Sequence, residues 1–514
     1  MIILRLILFS ILFTFLSRIG TAKTSAASST PAQNSYIDII DVYSTKDIRN
    51  ALLQLWNHGL KPTYYWTPSM EEIYKSNSNS PTLRELAKEK LFQAINNVAN
   101  GSVNPEELTP DIKFKKKQFV SVGIFESLVA STNQRPELLI EQMAPQNILY
   151  KSVQSGVKTL YNSCKTGSFK PIKPSNKILK LGSRDSSVSA IKMRLKVLKY
   201  NISSDNNIID SDFVTAINNI KWTLREPPDG TIKPKDTLWK YFAISCTDRL
   251  RQLQADLEKV RWLPQRLEDR FIFLNLALNY LALYDSPNNY MMSFRTINGR
   301  SERRTPSMHD HLYQVVLNPA WIVPPTIFIE DKVEEIKKLR KDQIKAYFES
   351  KYFEVWNLDL TETIPPESID WKSITPDSDR TFYIRQKPHY MNTLGVTKFE
   401  LSNPEFIYLH DTNQRELFVE PNRLLSSGCI RVERPIELAE YLLKGTEWNL
   451  SSIQNTVAKP LDPPGKPTKI MLKNPMPIYM IFLTSQTSGN GTVYFTHDDY
   501  SQNSLILSKI AAAF

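Results

Sequence analysis

Tyr408-Leu409-His410-Asp411, followed by Leu425-Ser426-Ser427-Gly428-Cys429-Ile430-Arg431, is the stretch on which the reading of the chain turns. Phe406 to Leu409 is strand-like, so His410 falls at a strand end, where an imidazole reaches a neighbouring loop thiol. Cys429 lies 19 positions further on, directly after a Ser-Gly pair. Gly428 permits a tight turn, and consecutive amides in such a turn can face a developing oxyanion. A cysteine attacks as its thiolate and is mostly protonated at neutral pH, so it needs a base, and His410 is the candidate. A loop cysteine is also commonly a small core residue. On spacing alone both readings stand.

The 514 residues predict two to four domains, and a 41% hydrophobic, 11% aromatic composition suffices for sizeable cores. A formal net charge of +11 favours an acidic partner, either nucleic acid or an envelope polymer. No run interleaves Lys or Arg with stacking aromatics, which argues against nucleic acid. The apolar segment from Met1 to Leu16, broken at Arg5 and stopped at Arg18, reads as a signal-peptide core with Gly20-Thr21-Ala22 as its cleavage site. An uncleaved membrane anchor is the alternative. Either way residues 1–22 predict export. Of the three cysteines, Cys164 and Cys246 are then free to pair, which leaves Cys429 as an odd thiol in an oxidising compartment.

Residues 23–33 are Ser/Ala/Thr-rich and expected to be disordered. Helical spacing then dominates residues 36–170, a scaffold without chemistry of its own, and His58 reads as a loop histidine. Residues 171–247 predict three short helices, with Asp185 or Ser186, Asp210 or Ser211, and Asp236 as caps. A linker helix over 248–270, ended by Pro264, precedes a shift to strands at Phe271–Leu276, Tyr280–Tyr284, Tyr290–Ile297 and Gln314–Leu317. Residues 271–514 thus predict a β-rich domain. Its charged helical interruption, about 331–380, reads as an inserted helical cap over a cleft. Strand character resumes at Phe382–Gln386 and again at Pro477–Thr484 and Gly491–Thr496. His309 and His311, two apart beside Asp310, share a strand face, but no third ligand stands out, so no metal is expected. His497 reads as surface.

Residues 171–247 resemble a type 1 peptidoglycan-binding domain, departing from it at Ile220-Lys221, where that family has Phe-Gln; a helical spacer is the alternative. The opening stretch resembles the signature of the YkuD-type L,D-transpeptidase catalytic domain: a histidine, a spacer, then Ser-His-Gly-Cys-apolar-Arg or Asn. Ser427 stands where most members have a second histidine, and in this the chain is similar to the large periplasmic branch, which reads Ser-Ser-Gly-Cys. Arg261-Trp262-Leu263-Pro264, Asn318-Pro319-Ala320-Trp321-Ile322-Val323-Pro324-Pro325 and Ile384-Arg385-Gln386-Lys387-Pro388 match that branch too. The fold this implies is multidomain α+β: a helical scaffold, a small peptidoglycan-binding unit and a β-rich catalytic domain with an inserted cap.

The resemblance implies an acyltransferase without cofactor. Cys429 is its nucleophile and His410 its proton donor and acceptor. Backbone amides of Ser427, Gly428 and Cys429 form the oxyanion hole. Arg431 is implied to anchor a substrate carboxylate, with a structural salt bridge as the alternative, and Tyr408, on the same strand face as His410, to line the donor site. The implied partners are peptidoglycan stem peptides, a tetrapeptide donor and a diamino-acid amine acceptor, together with other cell-wall synthesis enzymes. The implied location is the periplasm, with membrane anchoring through the N-terminus as an option. Hydrolysis by the same Cys–His pair and a non-catalytic wall-binding role are the rival readings.

Overall fold

The computed structural model describes residues 31–167, 169, 172–511, 513 and 514. The expected signal segment, and the expected disorder up to residue 30, lie outside the described residues. Among the described residues, no helix is long and apolar enough to cross a membrane.

Fifteen strands follow the helical half: β1 (Arg270–Asn275), β2 (Tyr280–Asp285), β3 (Tyr290–Gly299), β4 (Met308–Leu317), β5 (Trp321–Ile322), β6 (Phe353–Asn357), β7 (Thr363–Ile364), β8 (Phe382–Gln386), β9 (Thr397–Leu401), β10 (Leu409–His410), β11 (Leu424–Ser426), β12 (Ile430–Val432), β13 (Thr468–Ile481), β14 (Ser485–Thr487) and β15 (Val493–Phe495). The main sheet runs β11-β3-β12-β10-β9-β4-β13-β1-β2, and β2 also pairs with β3. All but β11 therefore close into a barrel, which removes the exposed edges an open sheet would carry. Alternation along each strand fills the interior with Ile272, Leu274, Leu283, Val315, Phe399, Leu409, Ile430 and Ile478. The outer face at Phe271, Phe273, Tyr479 and Ile481 joins the core of the helical half.

The cap is not purely helical, which corrects the expectation. Phe328–Val333, Glu334–Lys337 and Lys341–Ser350 are helical, but they pack with a separate four-stranded sheet of order β5-β8-β6-β7. The strand expected at Phe382–Gln386 belongs to this sheet and not to the barrel. Short apolar runs such as Phe353–Val355 are too brief for periodicity to reveal in a charged segment.

The expected linker helix is a second correction. It runs Cys246–Arg261, capped by the Ser245 side chain accepting from Asp248 N–H, and it is buried between the scaffold and the barrel. Asp256, Glu258, Lys259 and Arg261 are each 0% exposed. Lys259 Nζ lies 3.2 Å from Asp256 and donates to the carbonyl of Phe482 and to Asn503; Asp256 also accepts from Thr484 and Ser485. Arg261 lies 3.3 Å from Glu258 and reaches the carbonyl of His58, while Glu258 accepts Val103 N–H at 2.7 Å. One pair thus faces the β-rich half and the other the scaffold. His58 is not a loop residue: it ends a 3-10 turn (Leu55–His58), is buried, and bonds the Tyr150 hydroxyl at 2.9 Å.

Ser186–Val197, Ser211–Thr223 and Thr237–Ala243 form the three helices expected, with Asp185, Asp210 and Asp236 as their N-caps. A disulfide from Cys164, at the end of the scaffold helix Ile148–Lys165, to Cys246 brackets this module, and the two Cα atoms are 5.5 Å apart. Disulfides of this kind persist in oxidising compartments. Closing a loop of 82 residues restricts the unfolded chain by about 4.5 kcal/mol on the loop-entropy account.

Removing one member of a fully buried ion pair strands the other. Lys259→Met is therefore expected to cost about 3–5 kcal/mol in urea unfolding, and the double variant Lys259→Met/Asp256→Leu to recover most of it. A Lys259→Met protein as stable as the parent would remove the central helix from this role.

Candidate active site

β10 and β12 lie side by side and parallel, with Leu409 opposite Ile430 and His410 opposite Arg431. Leu409 and Ile430 point into the barrel, so alternation turns Tyr408, His410, Cys429 and Arg431 outward on one face. Ile430 N–H donates to Tyr408 carbonyl at 3.1 Å, which sets Tyr408 beside Cys429 and His410 diagonal to it. The cap covers this face: Tyr408 belongs to the cap's apolar core and half-buried Cys429 packs against that core.

His410 is buried, and its Nδ1 hydrogen-bonds the carbonyl of Asp411. A carbonyl only accepts, so Nδ1 carries the proton and Nε2 keeps its lone pair. Burial and the neighbouring Arg431 charge push the imidazole down to about 3. Asp411 is itself held: its carboxylate accepts Val396 N–H at 2.9 Å and pairs with Arg415. Burial pushes the Cys429 thiol up from 9.0. At neutral pH the pair is thus a thiol and a neutral imidazole, which is the starting state for general-base catalysis and not a preformed ion pair. No hydrogen bond joins them; the thiol instead contacts Phe406 carbonyl at 3.7 Å, and rotation about its Cα–Cβ bond frees it.

The turn before the thiol corrects one expectation. Gly428 has φ +118°, a conformation open to glycine, but its N–H donates to Ser426 Oγ at 3.2 Å. Ser426 in turn donates to Cys429 carbonyl and Thr305 to Gly428 carbonyl. The amides of Ser427 and Cys429 have no acceptor among the described residues. Ser427, standing where the resemblance leads one to look for histidine, accepts from Arg300 at 3.2 Å and Arg303 at 3.0 Å, and Arg303 pairs with Glu330 and Asp331 of the cap. Sequence reasoning passed over this contact, although Arg300-Ser301-Glu302-Arg303-Arg304 is a visible charge cluster.

Among the described residues Arg431 makes no ion pair, and its guanidinium bonds Gln414 Oε1 at 2.9 Å. Tyr408 is nearly buried, with Lys398 Nζ 3.8 Å from its ring centroid and 2.6 Å from Glu400. Lys398, Glu400, Tyr408 and Lys469 line a groove of about 690 Å³ that ends at Phe406. Phe406, with φ +55° and 83% exposed, is a second residue the sequence did not single out. Its loop is anchored by Asp310, which accepts Asn403 N–H at 3.0 Å and its side chain at 2.7 Å. His309 stacks on Tyr479, 4.5 Å between ring centroids, and its ring is 5.1 Å from that of His311; among the described residues no cluster of three ligands is placed to hold a metal ion.

Because the thiol is held above its ordinary pKa, alkylation of Cys429 by iodoacetamide should rise with pH to a midpoint above 9.0. A midpoint below pH 8 would mean a thiolate–imidazolium pair instead. Gly428→Ala, forced into a left-handed conformation, is expected to lower unfolding free energy by about 1–3 kcal/mol.

Residues 269–457 match the YkuD family model, an L,D-transpeptidase catalytic domain, and residues 44–156 match the Scaffold domain model. A Haemophilus influenzae protein provisionally named an L,D-transpeptidase is 32% identical over 254 residues, which cover 49% of this chain and 47% of that one. The chain thus spans about half the length of this curated relative. Among solved structures, an L,D-transpeptidase from Xylanimonas cellulosilytica is aligned over 60% of this chain and 100% of its own, at 13% identity and a TM-score of 0.19, too low to carry an argument. The two family matches, one over the helical half and one over the barrel with its Cys–His face, give the chain a YkuD-type L,D-transpeptidase catalytic domain behind a Scaffold domain.

Proposed function

We propose that this protein is an exported peptidoglycan L,D-transpeptidase that forms 3→3 cross-links, with Cys429 as nucleophile and His410 as proton carrier. The observation that supports this most is the shared outward face of β10 and β12: a thiol, and an imidazole whose free Nε2 is fixed by the Nδ1–H contact to Asp411 carbonyl.

In the first half-reaction Sγ attacks the carbonyl at the L-centre of the diamino acid in a donor tetrapeptide. The thiol proton passes to His410 Nε2, and the oxyanion is met by the amides of Ser427 and Cys429. As the C–N bond breaks, His410 returns the proton to the departing D-Ala amine, leaving a thioester. In the second half-reaction the side-chain amine of another stem attacks that thioester, giving its proton to His410, and the thiolate leaves and is reprotonated. Arg431, without an ion-pair partner, is available to a substrate carboxylate, and the groove at Lys398, Glu400 and Lys469 offers both charge signs to a stem that carries both. Cap packing over the thiol limits water, which favours an amine as acceptor. The Cys164–Cys246 disulfide fits a periplasmic location.

Incubation with tetrapeptide muropeptides should yield 3→3 dimers by mass spectrometry, abolished in Cys429→Ala and reduced about 10²–10⁴-fold in His410→Ala. Tripeptide without dimers would make the protein a hydrolase, and dimers that persist in Cys429→Ala would overturn the mechanism.

A further inference from the structure

Arg423 stands immediately before β11 and Cys429 shortly after it, so one short strand links the nucleophile turn to a second feature. At the Arg423 end the three-helix module meets the barrel around a cavity of about 400 Å³. Trp222, from the helix Ser211–Thr223, lines one side, and the β1–β2 turn with β3 lines another. Three guanidiniums, those of Arg225, Arg295 and Arg423, converge on it.

Their partners are unequal. Arg225 is matched by Asp499 at 2.7 Å, and half-exposed Arg295 stands 3.8 Å from Glu433. Arg423, 3% exposed, has no carboxylate within ion-pair reach among the described residues; its hydrogen bonds go to the carbonyls of Thr296, Glu420 and Asn279. A guanidinium carries five N–H donors, so two remain. Burial and the charges of Arg295 and Arg225 push Arg423 down to about 10, which leaves it fully charged at neutral pH. The Trp222 ring lies 4.8 Å from Arg423 and 5.4 Å from Arg295, and its own N–H meets no acceptor among the described residues. A buried cation held by carbonyls and one ring face is costly, and three cations against two carboxylates leave one charge for a ligand. The cavity therefore offers a guanidinium fork for a carboxylate, an unused indole donor, and flat walls at Trp222 and Tyr494.

We propose that this cleft is a second binding subsite, which takes a carboxylate of an acidic stem peptide on the wall polymer while a different stem reacts at Cys429. The inference rests on the polymer being peptidoglycan, as proposed above. The two sites are held in fixed relation: Arg423 carbonyl accepts Asn298 N–H at 2.9 Å and the Asn279 side chain at 3.1 Å, and the three residues of β11 span about 10 Å. A stem anchored at Arg423 would thus hold its strand beside the nucleophile without occupying the groove at Phe406.

The test titrates a disaccharide-tetrapeptide into the full chain carrying Cys429→Ser, following tryptophan fluorescence. Saturable quenching is expected, absent in Trp222→Phe. Arg295→Gln and Arg423→Lys should each weaken binding by about tenfold or more, and so should amidation of the ligand's carboxylates. Chitotetraose should have no effect. The proposal is overturned if the amidated ligand binds as well, if quenching persists in Trp222→Phe, if Arg295→Gln retains full affinity, or if inorganic phosphate displaces the ligand at lower concentration than free tetrapeptide does. The two proposals fail separately. Cys429-dependent dimers without cleft binding would sink only the subsite, and cleft binding without dimers would sink only the transpeptidase reading.

Discussion

The ion pairs inside the helix Cys246–Arg261 are the constraint on which the arrangement depends. Four charges with no solvent exposure are tolerable only where every one is answered, and the answers come from both halves of the molecule. Lys259 and Asp256 bind the segments that follow β13 through Phe482, Thr484, Ser485 and Asn503, while Arg261 and Glu258 bind the scaffold through His58 and Val103. Lys117 adds a third tie, donating to the carbonyls of Ala99, Arg261 and Leu263, and burial pushes it down to about 8. Apolar packing alone would tolerate sliding of one unit over the other. Directional hydrogen bonds to buried charges do not, so the scaffold fixes where the barrel, and with it the thiol, can sit.

Catalytic geometry follows from the same logic at smaller scale. His410 is useful because Asp411 carbonyl dictates its tautomer, and Asp411 is placed by Val396 and Arg415. The nucleophile turn is fixed by Ser426, Thr305 and the two guanidiniums on Ser427. Since Arg303 also pairs with Glu330 and Asp331, the turn is connected to the cap, and any displacement of the cap is felt one residue pair away from Cys429.

Much of this was legible in the sequence, and what was not has physical reasons. Local rules worked where signals are local: the Asp caps of the three-helix module and the turn between β2 and β3 stand where spacing put them. Charge was misleading. Glu258, Lys259 and Arg261 are charged yet buried, and their pairing across domains cannot be seen in one segment. The cap's strands were hidden by their brevity within a charged region. The hydrogen bond that removes Gly428 from the oxyanion-facing amides depends on Ser426 folding back, a detail of side-chain direction that no motif encodes.

The disulfide has a consequence for biogenesis. Three cysteines allow three pairings, and two of them would consume Cys429, the proposed nucleophile. Cys164 and Cys246 both precede Cys429 in the chain, and they sit at facing helix ends of the helical half. Chain order thus brings the two cysteines of the structural pair together ahead of Cys429. The pairing found, Cys164 with Cys246, leaves Cys429 as the free thiol, packed against the cap's core.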